Sequence, residues 1–278
     1  MLRLFRIEYH KLIHNKSARV ITAVYFILIS LMSLLASIKF NFGDFSFRLA
    51  DQGIFNFPFI WHFNTWIAAL LKMFLAIVIV SMMANEYTHR TLKQNLIDGL
   101  SKREFVLSKF ITVFVFAALS TAFIFIVSLI LGLIFSDYTE FGIIFRDLEY
   151  VFAYFLKLLA FFSFCLFLGV LVKRSAFALG FLLIWWIIEW AIYGIMVSKL
   201  PDNSDLPAQV VQFFPLMSMQ NLIIEPFTRF NAVQSAATQL GAEFTKTYNV
   251  TLFKIAIVSV WTFLFNYWSL VILKKRDL

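Results

Sequence analysis

Residues 85–105 read NEYTHRTLKQNLIDGLSKREF and separate two apolar runs that are each long enough to cross a bilayer. Within residues 86–98 the apolar side chains Leu92, Leu96 and Ile97 recur at helical spacing, with charged or amide side chains between them. This pattern predicts an amphipathic helix. We expect the rest of the chain to be organised around it.

The end of this helix and the start of the next are both marked in the sequence. Gly99 is the residue type that most often ends a helix in a left-handed conformation. Ser101 followed three residues later by Glu104 predicts a capping box. The segment is therefore predicted to be helix, glycine, helix. Its basic residues outnumber its acidic ones, which in a loop this short predicts the cytoplasmic side of a membrane.

The composition places the chain in a membrane, because 61% of its 278 residues are hydrophobic and only 14% are charged. Six apolar runs are long enough to cross about 30 Å of hydrocarbon as helices. The predicted spans are residues 19–38, 65–84, 110–135, 151–172, 176–197 and 252–273. We therefore predict an all-α membrane protein with six transmembrane helices. Apolar runs of this length fit a β-barrel poorly, because barrel strands are short and alternate.

The distribution of positive charge predicts the orientation. Of the 24 lysines and arginines, 15 lie in the amino-terminal segment up to and including Arg19, in the loop after residue 84, in the Lys173-Arg174 turn or in the carboxy-terminal tail. Both termini are therefore predicted to be cytoplasmic, in a multi-pass protein of the inner membrane. The net charge of +8 then belongs to the inner face, where it favours anionic lipid headgroups and not nucleic acid.

The first 17 residues are predicted to form an elbow helix that lies in the inner interface. One helical face is apolar and the basic residues lie mostly elsewhere. The apolar positions are Leu2, Phe5, Tyr9, Leu12 and Ile13. A signal peptide is the competing interpretation, but the charged lead is long and no small-x-small cleavage site follows the apolar run.

The residues quoted above resemble the first cytoplasmic loop of type-2 ABC exporter permeases, many of which carry Glu-x-x-x-Gly-Thr-Leu-Lys. Arg90 stands where that pattern commonly has glycine. The six-span layout and the closing KKRDL of residues 274–278 resemble the same family, so the resemblance covers the whole chain. It implies a single permease domain, 1–278, whose cytoplasmic coupling-helix loop, 85–104, docks on a separate ABC ATPase subunit.

The resemblance also implies which residues bind that partner and that a second permease chain completes a homo- or heterodimer. The predicted partner-binding residues are Glu86, Arg90, Thr91, Leu92, Lys93, Leu96 and Gly99. The alternative is an ordinary interfacial helix held at the headgroups by its basic side chains, with Glu86 and Arg90 as an internal i,i+4 pair.

Two outer loops are predicted. Residues 39–64 are dense in Phe and Trp, which is typical of an aromatic belt at the interface and would also suit an amphiphilic substrate. Residues 198–251 contain four prolines between short amphipathic pieces, so we expect short interfacial or re-entrant helices there. No cysteine or acidic cluster joins His62 at ligand spacing, and no metal site or cofactor is expected.

Three ionisable residues lie well inside predicted spans, namely Lys72, Lys157 and Glu189. Counted from the outer ends of their spans, they share one level about 9–12 Å deep. Burying an isolated charge is costly, so we predict a Glu189–lysine pair with the second lysine facing a hydrated cleft. The alternative is that both lysines extend outward to water and Glu189 bonds neighbouring polar groups.

No nucleotide-binding or hydrolase motif occurs in the sequence, so no enzymatic activity is expected and ATP hydrolysis would fall to the partner. The expected function is export of a lipid-like molecule or amphiphilic peptide. An ion- or proton-coupled secondary transporter that uses Lys72, Lys157 and Glu189 is the main alternative. A non-transporting membrane assembly factor is a third. A P-loop ATPase encoded beside this chain would discriminate between them.

Overall fold

A computed structural model describes residues 2–35, 39–42, 45–48, 53–200, 205–239 and 247–276. Nearly all of this part of the chain is helical. The elements in chain order are α1 (Leu2–His14), α2 (Lys16–Leu35), β1 (Lys39–Phe42), β2 (Phe45–Arg48), α3 (Phe59–Leu70), α4 (Lys72–Thr88), α5 (Thr91–Ile97), α6 (Lys102–Phe135), α7 (Phe141–Ile144), α8 (Glu149–Val172), α9 (Ser175–Lys199), α10 (Leu206–Val211), α11 (Pro215–Gln220), a 3₁₀ turn (Phe227–Arg229), α12 (Asn231–Gln239) and α13 (Leu252–Lys275).

Four helices in the described ranges are long and apolar enough to cross a membrane, and the number rises to six if two bent pairs each count as one span. The four are α6, α8 together with the short α7, α9 and α13. The bent pairs are α1 with α2, at 88°, and α3 with α4, at 46°. The helical membrane architecture is thus confirmed, with four to six candidate spans in the described ranges.

Helix α8 is the centre of the bundle. Seventeen of its 24 residues are buried, whereas only three of the 25 residues of α9 are. It packs against α3, α4, α6, α9 and α13. At its crossing with α4, a Cβ on Gly169 would lie 2.9 Å from the Cβ of Met83, so this close approach requires glycine. The two glycines of α9, Gly180 and Gly194, face open space.

The amino-terminal helix turns sharply into the first long helix, as an elbow would. Asn15 separates them, and its side-chain oxygen accepts a hydrogen bond from the backbone N–H of Ala18 at 3.2 Å, capping α2. Helix α2 ends at Leu35, and the last three residues of the predicted span, 36–38, lie outside the described residues.

The second predicted span is broken, since α3 ends at Leu70 and α4 begins at Lys72. The third is longer than predicted. Helix α6 starts at Lys102 with the capping box of Ser101 and Glu104, and its 34 residues extend about 51 Å, beyond the hydrocarbon thickness.

The two predicted outer segments contain regular secondary structure. Residues 39–42 and 45–48 pair as antiparallel strands, with Phe40 opposite Phe47 and Phe42 opposite Phe45. In the segment 198–251, two of the prolines fall in the first turn of the short helices α10 and α11, where a missing backbone N–H costs nothing. Residues 201–204 and 240–246 of that segment lie outside the described ranges.

Candidate functional site

One end of the bundle, here called the basic end, brings together α1, the α4–α6 connection, the α8–α9 turn and the end of α13. The predicted amphipathic helix lies here but is shorter than predicted. Glu86 belongs to the last turn of α4, which ends at Thr88, and α5 begins only at Thr91. Arg90 makes the turn between them with φ +53°, and Gly99 ends the segment with φ +94°.

The left-handed backbone of Arg90 explains why glycine is common at this position in the family pattern. A non-glycine residue in this conformation is strained by about 1 kcal/mol or more. The turn therefore forms in this chain despite the missing glycine. It redirects the chain within two residues, so that α5 leaves α4 and runs toward α6.

Glu86 lies at the centre of a buried polar cluster at this end. Its Oε1 accepts charge-assisted hydrogen bonds from Lys109 Nζ at 2.6 Å and from Lys11 Nζ at 2.8 Å. Its Oε2 accepts a hydrogen bond from the hydroxyl of Thr91 at 2.6 Å. The carboxylate is 3% exposed, so these bonds replace the water that it lost on burial.

The same lysine binds a second buried carboxylate. Lys109 Nζ lies 2.7 Å from Glu8 Oε2, and Glu8 also accepts a 3.4 Å bond from Ser108. Lys109 is 1% exposed and Glu8 is 2% exposed. We call Glu8, Lys11, Glu86, Thr91 and Lys109 the junction cluster.

The junction cluster joins four helices and carries balanced charge. Two carboxylates face two ammonium groups, so the cluster carries no net charge, and Lys11, 33% exposed, is its member in contact with solvent. Its members come from α1, α4, α5 and α6. Removing one partner of such a cluster typically costs about 3–5 kcal/mol, because the other charge stays buried without compensation. The four helices are therefore held together at this point as one unit.

The burial of α5 shows which of its faces is available to a partner. Leu92 is 2% exposed and packs into the core, and Leu96 is half-buried against it. The outward face carries Arg90, Lys93, Gln94 and Ile97, of which Ile97 is 69% exposed. In this conformation Leu92 does not lie on the available surface, and the predicted internal pair of Glu86 with Arg90 gives way to Lys11 and Lys109.

Arg276, which follows α13, is bound by hydrogen bonds at the basic end of the bundle. The guanidinium of Arg276 donates hydrogen bonds to the carbonyls of Val170 and Leu171 and to the hydroxyl of Tyr87. These carbonyls lie in the last turn of α8, where the helix dipole favours a cation. Lys102 in turn donates to the Arg276 carbonyl at 2.8 Å. The end of α13 is thus tied to α4, α6 and α8.

The three charges inside the spans are not arranged as a Glu189–lysine pair. Glu189 accepts hydrogen bonds from the indole of Trp185 at 2.7 Å and from the backbone N–H groups of Leu216 at 3.1 Å and Met217 at 2.8 Å. The last two belong to the first turn of α11, where N–H groups have no partner within the helix. A carboxylate on α9 therefore caps α11, and the helix dipole offsets part of its burial cost.

Lys157 binds the opposite end of the same short helix. Its ammonium donates to the carbonyl of Gln220, the last residue of α11, at 3.3 Å. The two charges expected to meet directly are instead separated by the length of α11, because its ends present complementary partial charges. Lys72 lies 4.7 Å above the ring of Phe161, one turn along α8 from Lys157. The three predicted residues thus share one region but do not form one site.

His62 lies at the far end of the bundle in a set of protein contacts. Its Nε2 donates to the carbonyl of Ile224 at 2.8 Å, which leaves Nδ1 to accept from Arg229 at 3.0 Å. The ring stacks on Tyr150 with centroids 4.2 Å apart. No group of three or more metal-binding side chains occurs in the described ranges. His62 therefore serves packing here.

Sequence reasoning missed Glu8, Lys11 and Lys109 as members of a site. Glu8 is the only acidic residue among the first 43, and it stands in a strongly basic segment. Lys109 stands directly before a long apolar run. An acid and a lysine placed against the local trend are a signal of buried pairing, although the sequence does not say which residues meet.

No curated protein sequence matches the chain. Residues 50–273, more than three quarters of the chain, match the protein family described as ABC-2 family transporter protein. The match takes in α3 to α12 and nearly all of α13, and therefore Glu86, α5 and Lys109.

Proposed function

Because the chain belongs to the ABC-2 family of transporter proteins, we propose that it is the permease subunit of an ATP-driven exporter and receives the ATPase on the outward face of α5. The junction cluster supports this proposal most directly. Movement of α5 would pass through Thr91 to Glu86, and from there to α1 and α6. Burial of the cluster favours movement of these helices together over separation.

The docking contact proposed here follows the exposed residues of α5. Ile97 supplies the apolar anchor, while Arg90 and Lys93 pair with acidic side chains of the ATPase. Leu96, half-buried at the edge, supports this face from below. Leu92 and Thr91 hold α5 on the bundle, and Gly99 permits the chain to turn into α6.

Substitution of the exposed α5 face tests the contact. Ile97→Asp together with Lys93→Glu should abolish co-purification of the ATPase while leaving the melting temperature within about 1–2 °C, because both side chains are exposed. Arg174→Glu, an exposed arginine in the α8–α9 turn, is the matched control. Unchanged co-purification and transport in the α5 variant would show that the ATPase binds elsewhere.

The proposed orientation places the basic end in the cytoplasm, with both termini inside. The one cysteine, Cys165, is buried, so single cysteines introduced at exposed positions can be labelled selectively. Lys93→Cys should react with a membrane-impermeant maleimide only after the cells are permeabilised. Tyr138→Cys, exposed at the other end, should react in intact cells. The reverse pattern would invert the topology.

The proposed substrate is a lipid-like molecule or an amphiphilic peptide, and the proposed active unit is a dimer. The 36 phenylalanines and the aromatic surface of α9 suit amphiphiles better than ions or sugars. Helix α9 exposes Trp186, Trp190, Gly180 and Gly194, which would accept a second permease chain closely. Transport by single copies in nanodiscs with the ATPase would exclude the dimer.

Coupling to ions through the intramembrane charges is disfavoured by their contacts. Glu189 and Lys157 bind the two ends of α11, so neither is left to exchange a proton or cation without loss of that helix. This arrangement favours the ATP-driven exporter over the secondary transporter.

A further inference from the structure

A groove of about 380 Å³ opens beside the junction between α1 and α2. Three helices line it with stripes at helical spacing. Helix α2 contributes Arg19, Thr22, Ala23 and Phe26, at positions i, i+3, i+4 and i+7. Residues 112–119 of α6 contribute a second stripe with the same spacing, and α1 contributes the third. The groove therefore runs about 10 Å along the bundle, parallel to α2 and α6.

The groove is apolar along its length and basic at one end. The surface of its walls is almost entirely apolar. Arg19 lies there, three residues into α2, and its guanidinium makes no hydrogen bond or ion pair with any residue that the structure describes. Phe26 and Leu119 lie toward the other end, where the walls offer only hydrocarbon.

The charge around the open end is one-sided. Lys16 and Arg6 are exposed nearby in sequence, and the nearest acid, Glu8, is 2% exposed and bound to Lys109. No other acid occurs before residue 44. An anion placed at Arg19 thus meets an exposed guanidinium, and the acid of this segment, Glu8, is already bound to Lys109.

From this pattern we propose that the groove binds one molecule of an anionic glycerophospholipid, with an acyl chain between α2 and α6 and its phosphate on Arg19. An apolar slot that ends in an unpaired arginine matches a molecule with a hydrocarbon chain joined to a phosphate. In the proposed orientation the lipid comes from the inner leaflet, where basic segments attract anionic headgroups. The inference does not depend on the transported substrate or on the ATPase.

A lipid bound in the groove would fix the position of α1 relative to α2 and α6. The groove touches α1, α2 and α6, and α1 and α6 are also joined through Glu8 and Lys109. A bound lipid would fill the space between the outer parts of α1 and α6 and hold α1 across the mouth of the groove. Lipid occupancy would therefore stabilise the same unit that the junction cluster holds from the inside.

Native mass spectrometry of the delipidated full-length chain tests the proposal with two lipids of equal acyl composition, phosphatidylglycerol and phosphatidylcholine. The phosphatidylglycerol adduct should form with about tenfold higher affinity, because both lipids carry the phosphate but only phosphatidylcholine also carries a quaternary ammonium, which the basic residues around Arg19 repel. Arg19→Gln should remove the preference. Ala23→Trp should remove binding of both lipids at this site by filling the slot.

Matched controls stand on the other side of the bundle. Arg174→Gln removes an exposed arginine, and Ala176→Trp adds a large side chain to an exposed alanine beside it. Both should keep the wild-type preference. Equal binding of the two lipids by the wild-type chain, or a preference that survives both groove variants, would overturn the proposal.

Crosslinking supplies a test that needs no variant. A phosphatidylglycerol with a photoreactive group at the end of one acyl chain should label peptides of α2 and α6. Labelling confined to α9 or α13 would show that the lipid is bound elsewhere and would overturn the assignment.

Discussion

Replacing Lys109 by methionine tests whether the junction cluster holds the basic end together. Methionine keeps most of the apolar volume of the side chain and removes the ammonium that lies 2.7 Å from Glu8 and 2.6 Å from Glu86. Glu86 would keep its bonds to Lys11 and Thr91. Glu8 would keep only the 3.4 Å bond from Ser108 among the contacts of the described residues, and it would stay buried.

The magnitude follows from the uncompensated carboxylate. Breaking a buried ion pair from one side costs about 3–5 kcal/mol. At about 2–4 °C per kcal/mol, the melting temperature should fall by about 6–20 °C. Tryptophan fluorescence or size-exclusion chromatography after heating, on protein in one detergent, measures this change.

A double-mutant cycle separates the pair from other effects of the substitution. Glu8→Gln removes the charge that Lys109→Met leaves unpaired. The double variant should therefore be more stable than the sum of the two single losses by at least about 1.5 kcal/mol. Lys93→Met, an exposed lysine of α5, is the control and should change stability by less than about 0.5 kcal/mol. Additive losses, or a Lys109→Met variant that melts with the wild-type protein, would refute the reasoning.

Two further predictions concern the membrane part of the bundle, and both use thermal unfolding in detergent. Gly169→Val should destabilise the chain by about 1–3 kcal/mol, because its Cβ would meet Met83 at 2.9 Å, whereas Gly180→Val should be neutral; equal effects would mean that the α4–α8 crossing is not tight. Glu189→Leu should cost at least about 2 kcal/mol by leaving two α11 N–H groups unpaired, and a second change of Lys157→Leu should not restore stability. Full rescue by that second change would instead support a direct ion pair.

The general architecture was predictable because a membrane imposes strong rules on sequence. A hydrocarbon layer requires long apolar helices, and α8, α9 and α13 fall within a few residues of their predicted spans, while α6 ends where predicted but begins eight residues earlier. The capping box at Ser101 and the left-handed Gly99 were also predicted correctly, since both depend on local chemistry alone. The family follows from the same stretch of sequence.

The predictions that were wrong concern features that depend on contacts between residues distant in sequence, or on a sequence pattern that was overlooked. The amphipathic pattern predicts one helix from Glu86, whereas the structure has a turn at Arg90 between the end of α4 at Thr88 and the start of α5 at Thr91. Phenylalanine alternates with other residues at 40 and 42 and at 45 and 47, which is the period of a strand, and these residues form paired strands and not the predicted aromatic loop. The predicted Glu189–lysine pair was wrong because the sequence does not show that backbone N–H groups of α11 lie within hydrogen-bonding distance of Glu189.

The binding of α11 at both ends has a mechanical consequence for the bundle. Helices α8 and α9 are joined covalently by the turn at Lys173, and about 22 Å away α11 bridges them through Lys157 and Glu189. Because α8 and α9 are connected at the turn and again through α11, they form a closed unit that resists separation of the two helices. We therefore expect α8 and α9 to move as one rigid panel. Any displacement that opens a passage between that panel and α2 would then have to break the buried 2.8 Å hydrogen bond between the hydroxyls of Tyr25 on α2 and Tyr154 on α8.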